Sequence, residues 1–442
     1  MENFLLAFTA SFVVRGKTSK DVIFRKCRAL NARLDRLGED HMKTMKWAVG
    51  ALLVALAPLS ARAEITNNEV KIGVLTDLSG PFADATGKGS VEAAKMAAED
   101  FGGKVLGKPI VVIAGDHQNK PDVASALARQ WFDRDGVDVI TDLVGSAVAL
   151  AVDDLARQLD KATLVTSSGS PAIFGKSCTP NTIMWTFTTR SLAGALTKPL
   201  IDEGGKKWYF ITVDYAFGHS LESETSNLVK KYGGTVLGAV RHPLNTSDFS
   251  SMLLQAQSSG ADVIALANTG ADTANSIKQA HEFNIGTGKQ RLATLNIHPD
   301  EVKALGQDSI QGLITGTAFE WNLDKDKEEW SRRYYKRMGA MPNMNQAGTY
   351  SAVLHYLKAV EASGNDTGKA VIDQMKKMKP SDMFSKTGYI RPDGLYVHDM
   401  YLVKIKPKSE AKEPWDFYDL VATIPGDEAF GGPETTECPL VK

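Results

Sequence analysis

Val70-Lys71-Ile72-Gly73-Val74-Leu75 is a β-rich run that stops at Ser79-Gly80-Pro81, and the residues after it repeat its logic. A helical stretch is predicted over 89–100, with Val91, Ala94, Ala97 and Ala98 on one side. Strands at 110–114, 137–141 and 163–166 then alternate with helices at 123–133 and 147–159. Short β-rich runs alternating with amphipathic helices imply βαβ units and a parallel sheet. A second series starts after Thr188. Helices at 191–203, 221–232, 249–259 and 271–283 separate strands at 208–213, 236–241, 263–267 and near 291–295. After it come a β-like stretch at 312–319, helices at 327–338 and 347–362, and a single strand over 396–406. The fold class is therefore α/β, in two similar halves joined by returning segments.

Upstream of this unit, Lys43, Lys46, an apolar run over 47–59 and Ala61-Arg62-Ala63 have the form of a cleavable export signal. The run is about a dozen residues, too short to span a bilayer core of roughly 30 Å. Residues 42–63 are read as a signal peptide and the mature protein as periplasmic. Residues 1–41 do not fit ahead of a signal. The simpler reading is an upstream start codon assigned in error; a genuine extension that delays export is the alternative.

The first 63 residues carry eleven Lys/Arg against five Asp/Glu, so the formal net charge of −1 for the chain becomes −7 beyond Ala63. No basic stripe stands out, which argues against nucleic acid. About 380 residues exceed what one core usually serves, so two domains are expected. Only Cys178 and Cys438 remain beyond the signal, and in an oxidising compartment such a pair forms a disulfide. No CxxC or His/Cys cluster is present, so neither a metal nor a cofactor is expected. Gly87-Lys88-Gly89 continues into Ser90-Val91-Glu92 and lacks the third glycine of a dinucleotide loop. There is no Walker A, GxSxG or HExxH sequence, and the eight histidines are scattered. The chain does not read as an enzyme.

The opening run also resembles that of periplasmic solute-binding proteins of the branched-chain amino-acid (leucine-binding) type. The likeness continues through Asp116-His117-Gln118, Gly145-Ser146-Ala147, Asp214-Tyr215-Ala216-Phe217-Gly218, Asp248-Phe249, Ile277-Lys278-Gln279-Ala280 and Gln346-Ala347-Gly348-Thr349-Tyr350. The resemblance implies a two-lobed type I fold with three hinge crossovers. One lobe would hold 64–187 and 318–392, the other 188–317 and 393–442. It also implies a monomer that closes on one small ligand and delivers it to the membrane permease of an ABC importer. The ligand would be a branched-chain or related amino acid, with an aromatic acid as the alternative; a ligand sensor would share the fold.

In open α/β sheets ligands lie beyond the carboxyl ends of the strands. The loop before 147–159 brings Ser146 and Ala147 to a helix N-terminus, where free N–H groups suit a carboxylate. Ser146 would equally well cap that helix. Ser168 and Ser170 lie in the Ser/Gly/Pro loop after 163–166. By family position Phe217, then Tyr215, would pack on the ligand, and Asp272 would pair with a ligand ammonium, although the family commonly has Glu there. Asp272 suits the first turn of a helix just as well. Phe82 and Trp321 are further candidates for apolar walls.

Overall fold

The computed structural model describes residues 65–286 and 288–441; the segments read as signal peptide and upstream extension lie outside them. The first sheet has six strands: β1 (Val70–Thr76), β2 (Lys104–Val105), β3 (Lys108–Asp116), β4 (Val139–Asp142), β5 (Ala162–Val165) and β6 (Thr182–Met184). They lie in the order β2-β3-β1-β4-β5-β6, all parallel except the short β2. Helices α1 (Gly87–Asp100), α2 (Pro121–Gln130) and α3 (Ser146–Gln158) supply the crossovers. Glycine in the strands has a packing cause here. A Cβ on Gly73 would come within 2.5 Å of the Trp131 ring and one on Gly115 within 2.7 Å. The indole therefore lies against β1 and β3 where a side chain would otherwise stand.

The second sheet is built the same way from α4 (Thr189–Asp202), β7 (Lys207–Val213), α5 (Ala216–Lys231), β8 (Thr235–His242), α6 (Ser250–Ser258), β9 (Val263–Ala267), α7 (Ala271–Glu282), β10 (Arg291–Thr294), α8 (Pro299–Leu305) and β11 (Ile314–Thr317). The chain then returns to the first sheet through α9 (Lys325–Met338), α10 (Met344–Ser363) and α11 (Gly368–Lys377), with α10 packed along α1. A small antiparallel pair, β12 (Tyr389–Ile390) and β13 (Tyr396–Val397), touches the first sheet where Leu395 bridges Met184. Finally β14 (Met400–Ile405) and β15 (Tyr418–Ile424) complete the second sheet antiparallel, in the order β15-β14-β11-β10-β9-β7-β8, and α12 (Gly426–Phe430) comes after them. Two mostly parallel sheets flanked by helices give the α/β architecture expected from the alternation.

The chain passes between the sheets three times: after β6, after β11, and at His398–Asp399. The predicted single strand over 396–406 is in fact two strands parted at that third passage. The reason is local. Nε2 of His398 lies 2.9 Å from the Thr186 carbonyl and Nδ1 2.9 Å from that of Asp399; a neutral ring donates to one of them at a time, and the Thr186 contact is the one that joins the first passage to the third. The Asp399 carboxylate also accepts the Gly426 N–H. Burial keeps the ring's pKa low. Entry into the second sheet is fixed by a reciprocal cap: Thr188 Oγ1 accepts the Ser191 N–H and Ser191 Oγ accepts the Thr188 N–H, each at 2.9 Å.

Cys178 and Cys438 are bonded to each other, with Cα atoms 5.6 Å apart. Beneath the first sheet the buried Asp153 of α3 sits beside the hydroxyls of Thr163 and Thr182, and burial pushes its pKa up to about 7. A carboxyl raised above its unfolded value of about 3.9 takes up a proton on folding, so its contribution is lost as pH rises towards 7. Asp153→Asn is accordingly expected to stabilise the protein by about 4 kcal/mol at pH 8 and by about 1.5 kcal/mol at pH 5. Urea unfolding at the two pH values reads this directly. An equal change at both would mean that Asp153 does not titrate with folding.

Candidate functional site

The carboxyl ends of the parallel strands of the two sheets face each other across a narrow cleft. Its first wall begins at β4. Asp142 and Leu143 adopt left-handed φ values of 80° and 58°, and Gly145 comes next at 94°. Such backbone strain in non-glycine residues concentrates at ligand clamps. The turn is held by its carbonyls: Asp142 O accepts the N–H groups of Thr166 and Ser167, and Leu75 O accepts that of Leu143. Gly145 must be glycine on two counts, its φ and the Asn119 amide oxygen 2.5 Å from where a Cβ would stand. Asp142, fully buried among the hydroxyls of Ser167, Thr76 and Ser90, has its pKa pushed up to about 6 by that burial.

Gly145 is the N-cap of α3 and no side chain caps the helix. Ser146 is therefore the first helical residue and not the cap; its Oγ is buried without a protein partner. The β5 loop brings a second such hydroxyl, Ser168 Oγ. The β1 loop is braced by Asp77, which accepts the N–H groups of Gly80 and Phe82, so that the Phe82 ring closes one end. Asn345, in the first turn of α10, adds a side chain whose Nδ2 donates to Ala85 O at 3.3 Å and whose Oδ1 is buried without a partner.

The opposite wall carries Tyr215 and Phe217 at the start of α5, with ring centres 6.1 Å apart, then Thr269 after β9 and Asn296 and His298 after β10. Asn296 Nδ2 donates to Thr269 Oγ1 at 2.9 Å and its Oδ1 is left over. Phe187, on the first passage, completes an aromatic set of Phe82, Phe187, Tyr215 and Phe217. The walls touch. A Cβ on Gly169 would lie 3.1 Å from Phe217, and one on Gly270 would lie 3.4 Å from Pro81 O and 4.0 Å from the Phe82 ring. This is a closed arrangement.

Among the described residues no Asp, Glu, Lys or Arg lines the cleft. Burial pulls the His298 pKa down to about 4, leaving the ring neutral at pH 7. Behind it, Glu301 accepts the His298 N–H and burial lifts its pKa to about 8, so it is mostly protonated there. The electrostatic handle is thus the uncapped N-terminus of α3, with hydroxyls beside it. Ser146 Oγ and Ser168 Oγ have no base within hydrogen-bond reach, as a nucleophile would require. Among the described residues no His/Cys/Asp/Glu cluster could hold a metal ion.

Of the residues singled out from sequence, Ser146, Ser168, Tyr215, Phe217 and Phe82 meet in the cleft. Three others stand outside its lining. Ala147 is exposed beside it. Ser170 accepts the Ala172 N–H in a local turn. Asp272 is buried behind Tyr215, its Oδ2 accepting the Asn245 N–H at 3.1 Å, and burial raises its pKa. Trp321 is core, donating to Trp415 O. Thr269, Asn296, His298, Phe187 and Asn345 were not anticipated. Asn296 and His298 come just after a strand end, where the rule on carboxyl ends points; nothing in the sequence brings Asn345 to the cleft.

Two lobes of parallel sheet, joined by three passages with a cleft between them, are the architecture of a two-lobed binding protein. The chain matches the model of a family described as periplasmic binding protein over residues 69–412, and it belongs to that family. It is 28% identical over 338 residues to the Leu/Ile/Val-binding protein homolog 6 of Brucella melitensis, covering 74% of this chain and 84% of that one. A periplasmic binding protein from Burkholderia mallei is 48% identical, with a TM-score of 0.82 over 85% of this chain and all of the other. A branched chain amino acid ABC transporter periplasmic ligand-binding protein from Burkholderia xenovorans is 40% identical, with a TM-score of 0.78 and the same coverage. The family consists of binding proteins of ABC transporters, not enzymes.

Proposed function

We propose that this chain is exported by its signal at 42–63 and captures a small carboxylate in the periplasm for the permease of an ABC importer. The observation that carries this reading is the pair of buried, unpartnered hydroxyls, Ser146 and Ser168, beside the uncapped N-terminus of α3. A carboxylate there accepts both hydroxyls and the first-turn N–H groups, Ala147 N–H included. The helix terminus adds up to about 2 kcal/mol in a partly buried site. The four rings would pack on the ligand's apolar body.

Two ligand classes arise from different observations. The names of the Brucella and Burkholderia xenovorans relatives support a branched-chain amino acid. The cleft itself favours an acid without an ammonium group, aromatic acids included. Among the described residues no ionised carboxylate lines it, and Asp272, outside the lining, has one oxygen held by the Asn245 N–H and the other buried without a partner. Removing an ammonium from water without a partner costs several kcal/mol, and this second class is the one the geometry supports better.

A thermal-shift screen of residues 64–442 with leucine, isoleucine and valine, and with benzoate-type and aliphatic acids, tests the proposal. A ligand at a hundredfold excess over Kd stabilises by about 2.7 kcal/mol. Stabilisation by none of these carboxylates would overturn the function. Stabilisation by the amino acids alone would overturn the preference between classes. Ser146→Ala is expected to weaken the best binder about tenfold, in line with one charge-assisted hydrogen bond; no change would remove Ser146 from the site.

A further inference from the structure

The cleft lining carries two chemically opposite sets of groups. Ser146, Ser168 and the start of α3 offer donors, whereas Asn345 Oδ1 and Asn296 Oδ1 can only accept. Both asparagines are about 3% exposed, and both oxygens lack a partner. The orientation of Asn345 is set by its neighbour: Ala85 O can only accept, so the amide nitrogen faces it and the oxygen faces the cleft. The other face of Asn345 is fixed as well, since α10 is held by a reciprocal cap in which Asn343 Oδ1 accepts the Asn345 and Gln346 N–H groups. Asn296 comes from the opposite wall and is braced by Thr269. Two buried acceptors converging on one cleft from both lobes are costly unless something donates to them on closure.

We infer that Asn345 and Asn296 form a specificity site for an uncharged hydrogen-bond donor on the ligand, so that the preferred ligand is a hydroxy acid and not the plain acid or the amino acid. This rests on the carboxylate reading above and sharpens it. Amide oxygens carry no net charge, and His298, which lines the cleft, and Glu301, which accepts its backbone N–H, are respectively neutral and largely protonated at pH 7. A hydroxyl brings one proton to place between the two oxygens and no charge, whereas an ammonium, though richer in donors, would leave its charge uncompensated in a closed cleft. Because one acceptor lies on each lobe, the contact forms in full only when the lobes meet, and it biases closure as well as affinity.

The test uses matched ligands: isovalerate, 2-hydroxyisovalerate and valine, and separately benzoate and 4-hydroxybenzoate, titrated calorimetrically against residues 64–442. The expected result is that the hydroxylated member of at least one set binds ten-fold or more tightly than its parent acid, and that 2-hydroxyisovalerate exceeds valine if the aliphatic set binds. In Asn345→Leu the ratio between hydroxylated and parent acid should fall to about one. Asn296→Leu gives the same readout should Asn345→Leu fail to fold. Binding in which parent acids equal their hydroxylated partners would overturn this inference and leave the carboxylate function standing. Valine as the tightest of its set would overturn it equally. Binding of no carboxylate at all would overturn both.

Discussion

Gly169→Val is expected to weaken ligand capture about tenfold while leaving a folded protein. A Cβ at 169 would stand 2.7 Å from the Phe187 ring and 3.1 Å from that of Phe217. The first ring lies on the passage between lobes and the second on the opposite wall. Two further methyl groups cannot be placed there with the lobes together. Overpacking a closed contact of this kind costs about 1–3 kcal/mol. Separating the lobes relieves the Phe217 share of that cost but not the closer Phe187 contact, so only that share falls on closure. Ligand affinity depends on the population able to close, and about 1.4 kcal/mol against closure is tenfold in apparent Kd. The measurement is a titration with the best ligand of the screen, together with the change in radius of gyration on adding it. Wild-type affinity with valine at 169 would show that Phe217 does not seat over Gly169 when ligand is held.

The period-two and helical patterns from Val70 to Leu295 were enough to foresee two parallel sheets, because each strand there is a β-rich run bounded by turn residues. Elements that escaped lack that signal. β6 is three residues, Thr182–Met184, too short to stand out as a run, and becomes a strand by pairing with β5. The break at His398–Asp399 falls within a run of strand-forming residues and is imposed by a contact with Thr186, some 212 positions away. The cleft was half legible for a related reason. Residues just past a strand are placed by the strand itself, which is why Ser146, Ser168, Tyr215 and Phe217 arrive together. For Asp272 the sequence gives only a place in the first turn of a helix. Which way that turn faces depends on helix phase, and it faces the Asn245 loop. Asn345 belongs to a helix that reaches the first lobe only after the second passage, so no local pattern could assign it.

Replacing both Cys178 and Cys438 by serine is expected to cost about 3–5 kcal/mol of stability and to leave ligand affinity within about threefold of wild type. The bond spans 260 residues, and in the chain-entropy account its effect is to restrict the unfolded chain, with a ceiling near 5–6 kcal/mol. The native contacts around it are too few to replace it. Thr436 Oγ1 reaches Phe174 O at 3.5 Å, and the Lys176–Glu437 pair is exposed and worth little. Upstream, Arg391 donates to the carbonyls of Gly431 and Gly432, so the tail leaves the second sheet at β15 and is tied to the first near the hinge. A strap on that side does not line the cleft, which is why affinity should hold while stability falls. The urea slope should rise with it, because an uncrosslinked unfolded chain exposes more surface. A large loss of affinity with little loss of stability would reverse this assignment, making the tail part of the closing mechanism and not a brace on the fold.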